Sequence, residues 1–309
     1  MKVVALAGGV GGAKLAHGLT QVIPAEDLTL IVNTGDDFEH FGLSICPDLD
    51  TVCYTLAGLA NPNTGWGRAD ETWNVQQSLA ALDAPAWFSL GDRDLATHLE
   101  RTRRLQAGEA LSAITAGFCA AWGVPVTVLP MSDQPVRTMV DSDEGELAFQ
   151  HYFVRRACQP KVKGFRFSGL EAAKPAPGVL GAINAAQLII ICPSNPWVSI
   201  APILALGEVR AALAGQPIVA VSPIIAGKAV KGPAAKMFAE LGITPSALAV
   251  ARYYGSLLSG LVIDLVDVGQ AEGVRELGII PLVTATLMED RAGRTRLAAE
   301  VLEFGKSLL

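Results

Sequence analysis

A chain of 309 residues, half of them hydrophobic and 17% charged, can bury a large core, which excludes disorder as its dominant state. Its formal charge of -6, from 30 acidic against 24 basic residues, leaves no polybasic surface of the kind that nucleic acid or anionic lipid rewards, so small molecules or other protein chains are the expected partners. Mean hydropathy is high at +0.37, yet Pro, Gly or charged residues interrupt the apolar stretches before the roughly 18 residues a span needs, and a soluble, cytoplasmic chain is expected.

Five cysteines (Cys46, Cys53, Cys119, Cys158, Cys192) form no Cys-x-x-Cys pair and suit reduced thiols better than a disulfide framework. The four histidines (His17, His40, His98, His151) lie far apart, without the spacing of a His-based metal site.

In chain order, short runs rich in Val, Ile and Leu recur at Val3–Ala7, Leu28–Asn33, Val126–Pro130, Leu188–Cys192 and Ile218–Ser222, each closed by Gly, Pro, Asn, Asp or Ser. Continuous apolar runs predict strands covered on both faces, as in a parallel sheet. Helix-like segments alternate with them at Ala13–Val22, Thr72–Leu82, Ala96–Leu105 and Val209–Leu213. The pattern predicts an α/β chain with a doubly wound, Rossmann-like, mostly parallel sheet in a single domain over 1–309. Residues 51–123 read as a helical insertion. Residues 141–177 read as an antiparallel excursion, with strands expected at Glu146–Arg155 and around Phe165-Arg166-Phe167. In such sheets ligands bind beyond the carboxyl ends of the strands, where the unusual loops of this sequence fall.

The first of these loops, Gly8-Gly9-Val10-Gly11-Gly12-Ala13-Lys14, joins a strand to a helix and lets the backbone approach a phosphate at a helix N-terminus. It is not a P-loop, because Lys14 follows Ala13 and is followed by Leu15, and it is a poor dinucleotide fingerprint, because Lys14 takes the third glycine position. A tight turn without a ligand would look the same. Asn33-Thr34-Gly35-Asp36-Asp37 follows the second strand, and Pro47-Asp48-Leu49-Asp50-Thr51 comes soon after. Carboxylates crowded beside a phosphate loop call for a cation, so Mg²⁺ on Asp36 and Asp37 is expected. Asp48 reads more simply as a helix cap.

Leu90-Gly91-Asp92-Arg93-Asp94 starts a helix, where Asp92 or Asp94 could be only a cap; Arg93 opposes the macrodipole there and wants an anionic or planar ligand. His98 reads as an ordinary helix residue. Cys192-Pro193-Ser194-Asn195-Pro196 offers a rigid polar rim, and Lys231-Gly232-Pro233 offers a lysine beside a helix start. No Ser-His-Asp or Cys-His set is discernible, so direct phosphoryl transfer is the economical chemistry.

These motifs, together with Pro130-Met131-Ser132-Asp133 and Ser222-Pro223-Ile224-Ile225, resemble in order the 2-phospho-L-lactate transferase family of coenzyme F-420 biosynthesis. The resemblance implies transfer of a phospho-acid group from a guanylyl-diphospho donor to the ribityl 5'-hydroxyl of the deazaflavin Fo, with release of GMP. It implies a deazaflavin pocket at Asp50 and Arg93, with Asp92 and Thr97 as weaker neighbours, and makes Asp50, Arg93 and Asp92 the catalytic candidates. It implies a nucleotide and phosphate side at Gly9, Gly11, Gly12, Lys14, Ser194, Asn195, Lys231 and Gly232. Val10, Gly12 and Ala13 stand where archaeal members carry Thr, Thr and Pro, which is similar to bacterial members and to a phosphoenolpyruvyl donor; phospholactyl and phosphoglyceryl donors stay open. A non-catalytic regulator of the same fold, similar to the gluconeogenesis-factor proteins, is the alternative. A homodimer is the default assembly.

Overall fold

A computed structural model describes residues 1–309. Seven strands form one parallel sheet: β1 (Val3–Ala7), β2 (Leu28–Val32), β3 (Thr127–Pro130), β4 (Leu188–Ile191), β5 (Ile218–Val221), β6 (Gly260–Asp264) and β7 (Ile280–Thr284). Their spatial order is β3-β2-β1-β4-β5-β6-β7, so strand order reverses between β1 and β4. β1 pairs on one side with β2, Val3 opposite Leu28, and on the other with β4, Val3 opposite Leu188. This is a doubly wound sheet with a crevice at its switch point.

The continuous apolar runs have a direct structural reason. Alternate residues of each strand point to opposite faces, and both faces are covered. Val4, Leu6, Ile189, Ile191, Ile218 and Ala220 belong to one core; Val3, Ala5, Leu188, Ile190, Val219 and Val221 belong to the other. Strands β6 and β7 complete the sheet at one end, and the apolar runs at Gly260–Asp264 and Ile280–Thr284 carry them.

Helix α1 (Gly9–Leu19) joins β1 to β2, and the chain between β2 and β3 carries α2 (Pro47–Leu56), α3 (Asn74–Ala81), α4 (Asp92–Gln106) and α5 (Leu111–Ala121). Between β3 and β4 lies a separate antiparallel sheet of Arg137–Ser142, Gly145–Ala148 and Val162–Ser168. The strand expected over Glu146–Arg155 is corrected there. Pairing ends at Ala148, and His151–Arg155 forms a wide helical turn closed by the Arg156 N–H on the His151 carbonyl at 2.8 Å. Burying both Phe149 and Tyr152 needs helical spacing, which a strand does not supply. The first helix also begins earlier than expected, at Gly9 rather than Ala13, so the glycine run forms its first turn. No single helix is long and apolar enough to cross a membrane.

Candidate active site

Beyond the carboxyl ends of the strands lies a cavity of about 720 Å³. At the switch point it is lined by Gly8, Gly9, Val10 and Gly11 after β1 and by Pro193, Ser194 and Asn195 after β4. Lys14, Lys231 and Gly232 also face it. The helical stretch contributes Asp48, Asp50, Tyr54 and His98, and the antiparallel excursion contributes Phe149 and Phe153.

The glycines are needed for two different reasons. Gly9 has φ +63°, a backbone conformation that a side chain disfavours. Gly11 approaches the loop after β4 so closely that a Cβ would lie 2.5 Å from the Pro193 carbonyl oxygen. The two loops are stitched at Gly8 and Ser194: the Gly8 N–H donates to Ser194 Oγ at 3.1 Å, and that hydroxyl donates to the Gly8 carbonyl at 2.8 Å. Val10 and Gly11 stand in the first turn of α1, where backbone N–H groups have no preceding turn of the helix to bond to. Such donors at the positive end of a helix form an anion site. Gly12 packs beneath, against Ser194, and does not line the cavity.

Asp48 does not cap its own helix. Its carboxylate accepts from the Gly9 N–H at 2.8 Å and from Asn33 Nδ2 at 2.9 Å, tying α2 to the glycine loop and to the end of β2. Burial lifts its pKa to about 6 against those two hydrogen bonds. Asp36 lines the cavity too, with Oδ1 buried and unpartnered. Burial, then the charges of Asp48 and Asp37, push its pKa well above the carboxylate range. Asp37 is buried but does not line the cavity; burial raises its pKa to about 7 although Arg137 pulls it down. The carboxylates that line the cavity are Asp36, Asp48, Asp50 and Asp94; of the two residues expected to hold a metal, Asp36 lines it and Asp37 does not.

Asp50 is held from behind. Both of its oxygens accept from the Arg101 guanidinium, Oδ2 from Nη1 at 3.1 Å, and Arg101 is only 3% exposed. Arg101 Nη1 also donates to the Ser44 carbonyl at 3.2 Å and lies 3.2 Å from His98 Nδ1. His98 Nε2, on the other side of the ring, faces Asp94 Oδ1 at 3.4 Å. Asp94 in turn accepts from the Tyr54 hydroxyl at 2.7 Å, and Thr97 Oγ1 lies 2.8 Å from the same hydroxyl. Asp50, Asp94 and His98 thus form one buried network fed by α2 and α4.

Besides Gly12 and Asp37, three more sequence candidates lie outside the cavity. Asp92 accepts from Thr72 Oγ1, Asn74 Nδ2 and the N–H groups of Asn74 and Val75, so it caps α3, and these bonds hold its pKa at about 2. Arg93 is exposed; the anion that its helix start requires is Glu71, whose carboxylate accepts from the N–H groups of Arg93 and Asp94 at 2.8 and 2.7 Å. Thr97 is buried against Tyr54. Sequence reasoning passed over Arg101 and took His98 for an ordinary helix residue. Their signal was the spacing of Asp94, His98 and Arg101 at three and four residues, which puts them on one helix face.

The fold is doubly wound α/β, and its cavity lies at the switch point of the sheet, where such folds bind their ligands. The chain belongs to the family described as 2-phospho-L-lactate transferase CofD, whose sequence profile matches residues 3–274, and it is a phospho-acid transferase of coenzyme F-420 biosynthesis. It is similar to a phosphoenolpyruvate transferase of Streptomyces griseus, 46% identical with 100% of this chain and 99% of the relative covered. The corresponding protein of Streptomyces coelicolor is 45% identical with the same coverage, and that of Thermobifida fusca is 45% identical over 91% of this chain and 92% of its own. Among solved structures, a UPF0052-family protein of Bacillus halodurans shares the fold, with a TM-score of 0.63, 14% identity and coverage of 97% and 98%.

Proposed function

We propose that the protein transfers a phosphoenolpyruvyl group from a guanylyl-diphospho donor to the ribityl 5'-hydroxyl of Fo and releases GMP. The observation that carries this reading is one cavity lined both by the glycine loop with Lys14 and Lys231 and by the Arg101-held Asp50. The names of the Streptomyces and Thermobifida relatives favour the enolpyruvyl donor over its phospholactyl and phosphoglyceryl analogues. Tyr54, Trp66, Phe88, Phe149 and Phe153 line the same cavity and suit a planar deazaflavin ring.

The donor diphosphate lies over the N–H groups of Val10 and Gly11, with Lys14 and Lys231 balancing its charge. Asp36 and Asp48 fit a hard cation, since both are buried in the cavity wall and Asp36 has an unpartnered oxygen raised in pKa partly by its neighbour. Mg²⁺ bound there would neutralise charge on the phosphate oxygens. Asp50, held on both oxygens by the guanidinium, accepts a hydrogen bond from the acceptor hydroxyl and aims it in line at phosphorus. A loose transition state asks little proton removal before bond formation, so the part of Asp50 is to position the hydroxyl. His98 lies between Asp50 and Asp94 and completes that wall of the site. Exposed Leu265, Val266, Val268 and Ile280, close to edge strand β7, support a homodimer through that edge.

The test is purified protein with Mg²⁺, Fo and each of the three guanylyl donors, following GMP release and the mass of the deazaflavin product. Product from the enolpyruvyl donor alone supports the reading. Product from another donor only corrects the acid, and no product from any donor, with nucleotide still bound, favours the non-catalytic regulator.

A further inference from the structure

Beside the main cavity, and sharing Val10, Lys14 and Lys231 with it, lies a smaller one of about 140 Å³. Besides those two lysines, its wall holds His17, Arg291 and Arg294, and no Asp or Glu. None of Lys14, Lys231, Arg291 and Arg294 forms an ion pair with a carboxylate. The lysines touch only carbonyls, Lys14 Nζ donating to Met288 O at 2.8 Å and Lys231 Nζ to Thr64 O at 2.7 Å, which leaves further donors on each. Buried Arg294 Nε and His17 Nδ1 have no partner at all.

Two of these cations sit where a helix least wants them. Arg291 and Arg294 belong to the first turn of the 16-residue helix Arg291–Lys306, whose N-terminus is already positive. The nearby Asp290 is committed to capping that helix, accepting from the Gly293 N–H at 2.7 Å. The uncompensated field is felt by the basic groups themselves: burial first, then Arg294 and Lys231, lower the pKa of Lys14, and burial followed by Arg294 and Arg291 lowers that of His17. Repelling cations gathered around a concave space are stabilised by an anion that fills it.

We propose that this side pocket is the subsite for the carboxylate of the transferred phospho-acid, gripped by Arg291, Arg294 and Lys14 while the adjoining phosphate lies on the glycine loop. The inference rests on the phospho-acid transferase reading and assigns the part of the donor that a guanine nucleotide lacks. Lys14 and Val10 line both spaces, so a carboxylate two bonds from the phosphate ester oxygen spans from one to the other. The pocket also gives the enzyme a reason to reject the plain nucleoside diphosphate as donor.

The test compares the full-length protein with its Arg291→Gln and Arg294→Gln variants. In the transfer assay, the donor KM is expected to rise about tenfold or more with kcat little changed, the loss of a hydrogen bond between charged groups. Inhibition by GDP, which has phosphates and no carboxylate, is expected to stay the same. Calorimetric titration with phosphoenolpyruvate is expected to show binding to the unsubstituted protein and its loss in both variants, a readout independent of turnover. Arg291 is exposed, so its variant keeps the fold even if that of Arg294 does not. Unchanged donor KM and unchanged phosphoenolpyruvate binding overturn the proposal; equal weakening of GDP overturns it in favour of a second diphosphate site. If no donor is turned over, the transferase reading fails, while the titration still decides whether the pocket takes a carboxylate-bearing phosphate.

Discussion

Replacing Arg101 by Met removes one buried cation and keeps most of the side-chain volume. The guanidinium makes three hydrogen bonds, two to Asp50 and one to the Ser44 carbonyl, and lies 3.2 Å from His98 Nδ1. Arg101 is 3% exposed and the Asp50 side chain 9%, so water cannot replace these bonds and the pair sits near the buried limit. Removing one partner from such a pair costs about 3–5 kcal/mol, because the surviving carboxylate stays behind uncompensated. The double variant Asp50→Asn with Arg101→Met is expected to be more stable than Arg101→Met alone, with a coupling of about 1–3 kcal/mol. Chemical denaturation followed by circular dichroism measures both. The same variant is expected to raise the KM for Fo far more than that for the donor, since Asp50 alone loses its aim. A loss below about 1 kcal/mol, or a double variant equal to the sum of the singles, would refute the claim that Arg101 holds Asp50 in place.

Other perturbations probe the rest of the site. Asp50→Asn, which keeps the shape, should slow transfer while leaving binding of guanine nucleotides unchanged in a fluorescence titration. Gly11→Ala puts a methyl group 2.5 Å from the Pro193 carbonyl, and the forced separation of the two loops should cost about 1–3 kcal/mol and weaken the donor; unchanged donor KM would count against phosphate binding at this loop. Asn33→Ala leaves buried Asp48 with one hydrogen bond fewer, and a stability loss of about 1–3 kcal/mol is expected in thermal melts. Asp92 has its pKa lowered to about 2 from 3.8 by its bonds to the start of α3. Its contribution is therefore full above pH 3.8 and lost as pH falls through about 2, so amide protection of Asn74 and Val75 should decline across that window. Asp92→Asn should abolish the decline, and a variant that keeps it would show that Asp92 is not the cap.

Much of this arrangement was legible before any coordinates. Period-less apolar runs closed by Gly, Asn or Ser are what two covered faces require, and five of the seven strands follow from them to within a residue or so. The run at Gly260–Asp264 that forms β6 is of the same type, whereas β7 at the sheet edge is only partly covered and carries the weaker signal. The chain at Glu146–Arg155 looked extended because local hydrophobicity cannot register which way Phe149 and Tyr152 must point. Likewise, the glycine loop announced a close backbone approach, and the loop that approaches it lies more than 180 residues away, at Ser194.

What the sequence by itself determined is therefore local and periodic: strands, most helices, the glycine turn, and a family membership carried by motifs in a shared order. Tertiary structure decided which charges meet. Asp36 and Asp48 share a wall while Asp37, next in sequence, turns away. Asp92 and Glu71 cap each other's helices, which leaves Arg93 exposed and frees the role of holding Asp50 to Arg101. The reason is physical: backbone preference and hydrophobic period act over a few residues, whereas the pairing of buried charges depends on distances that only the packed chain sets.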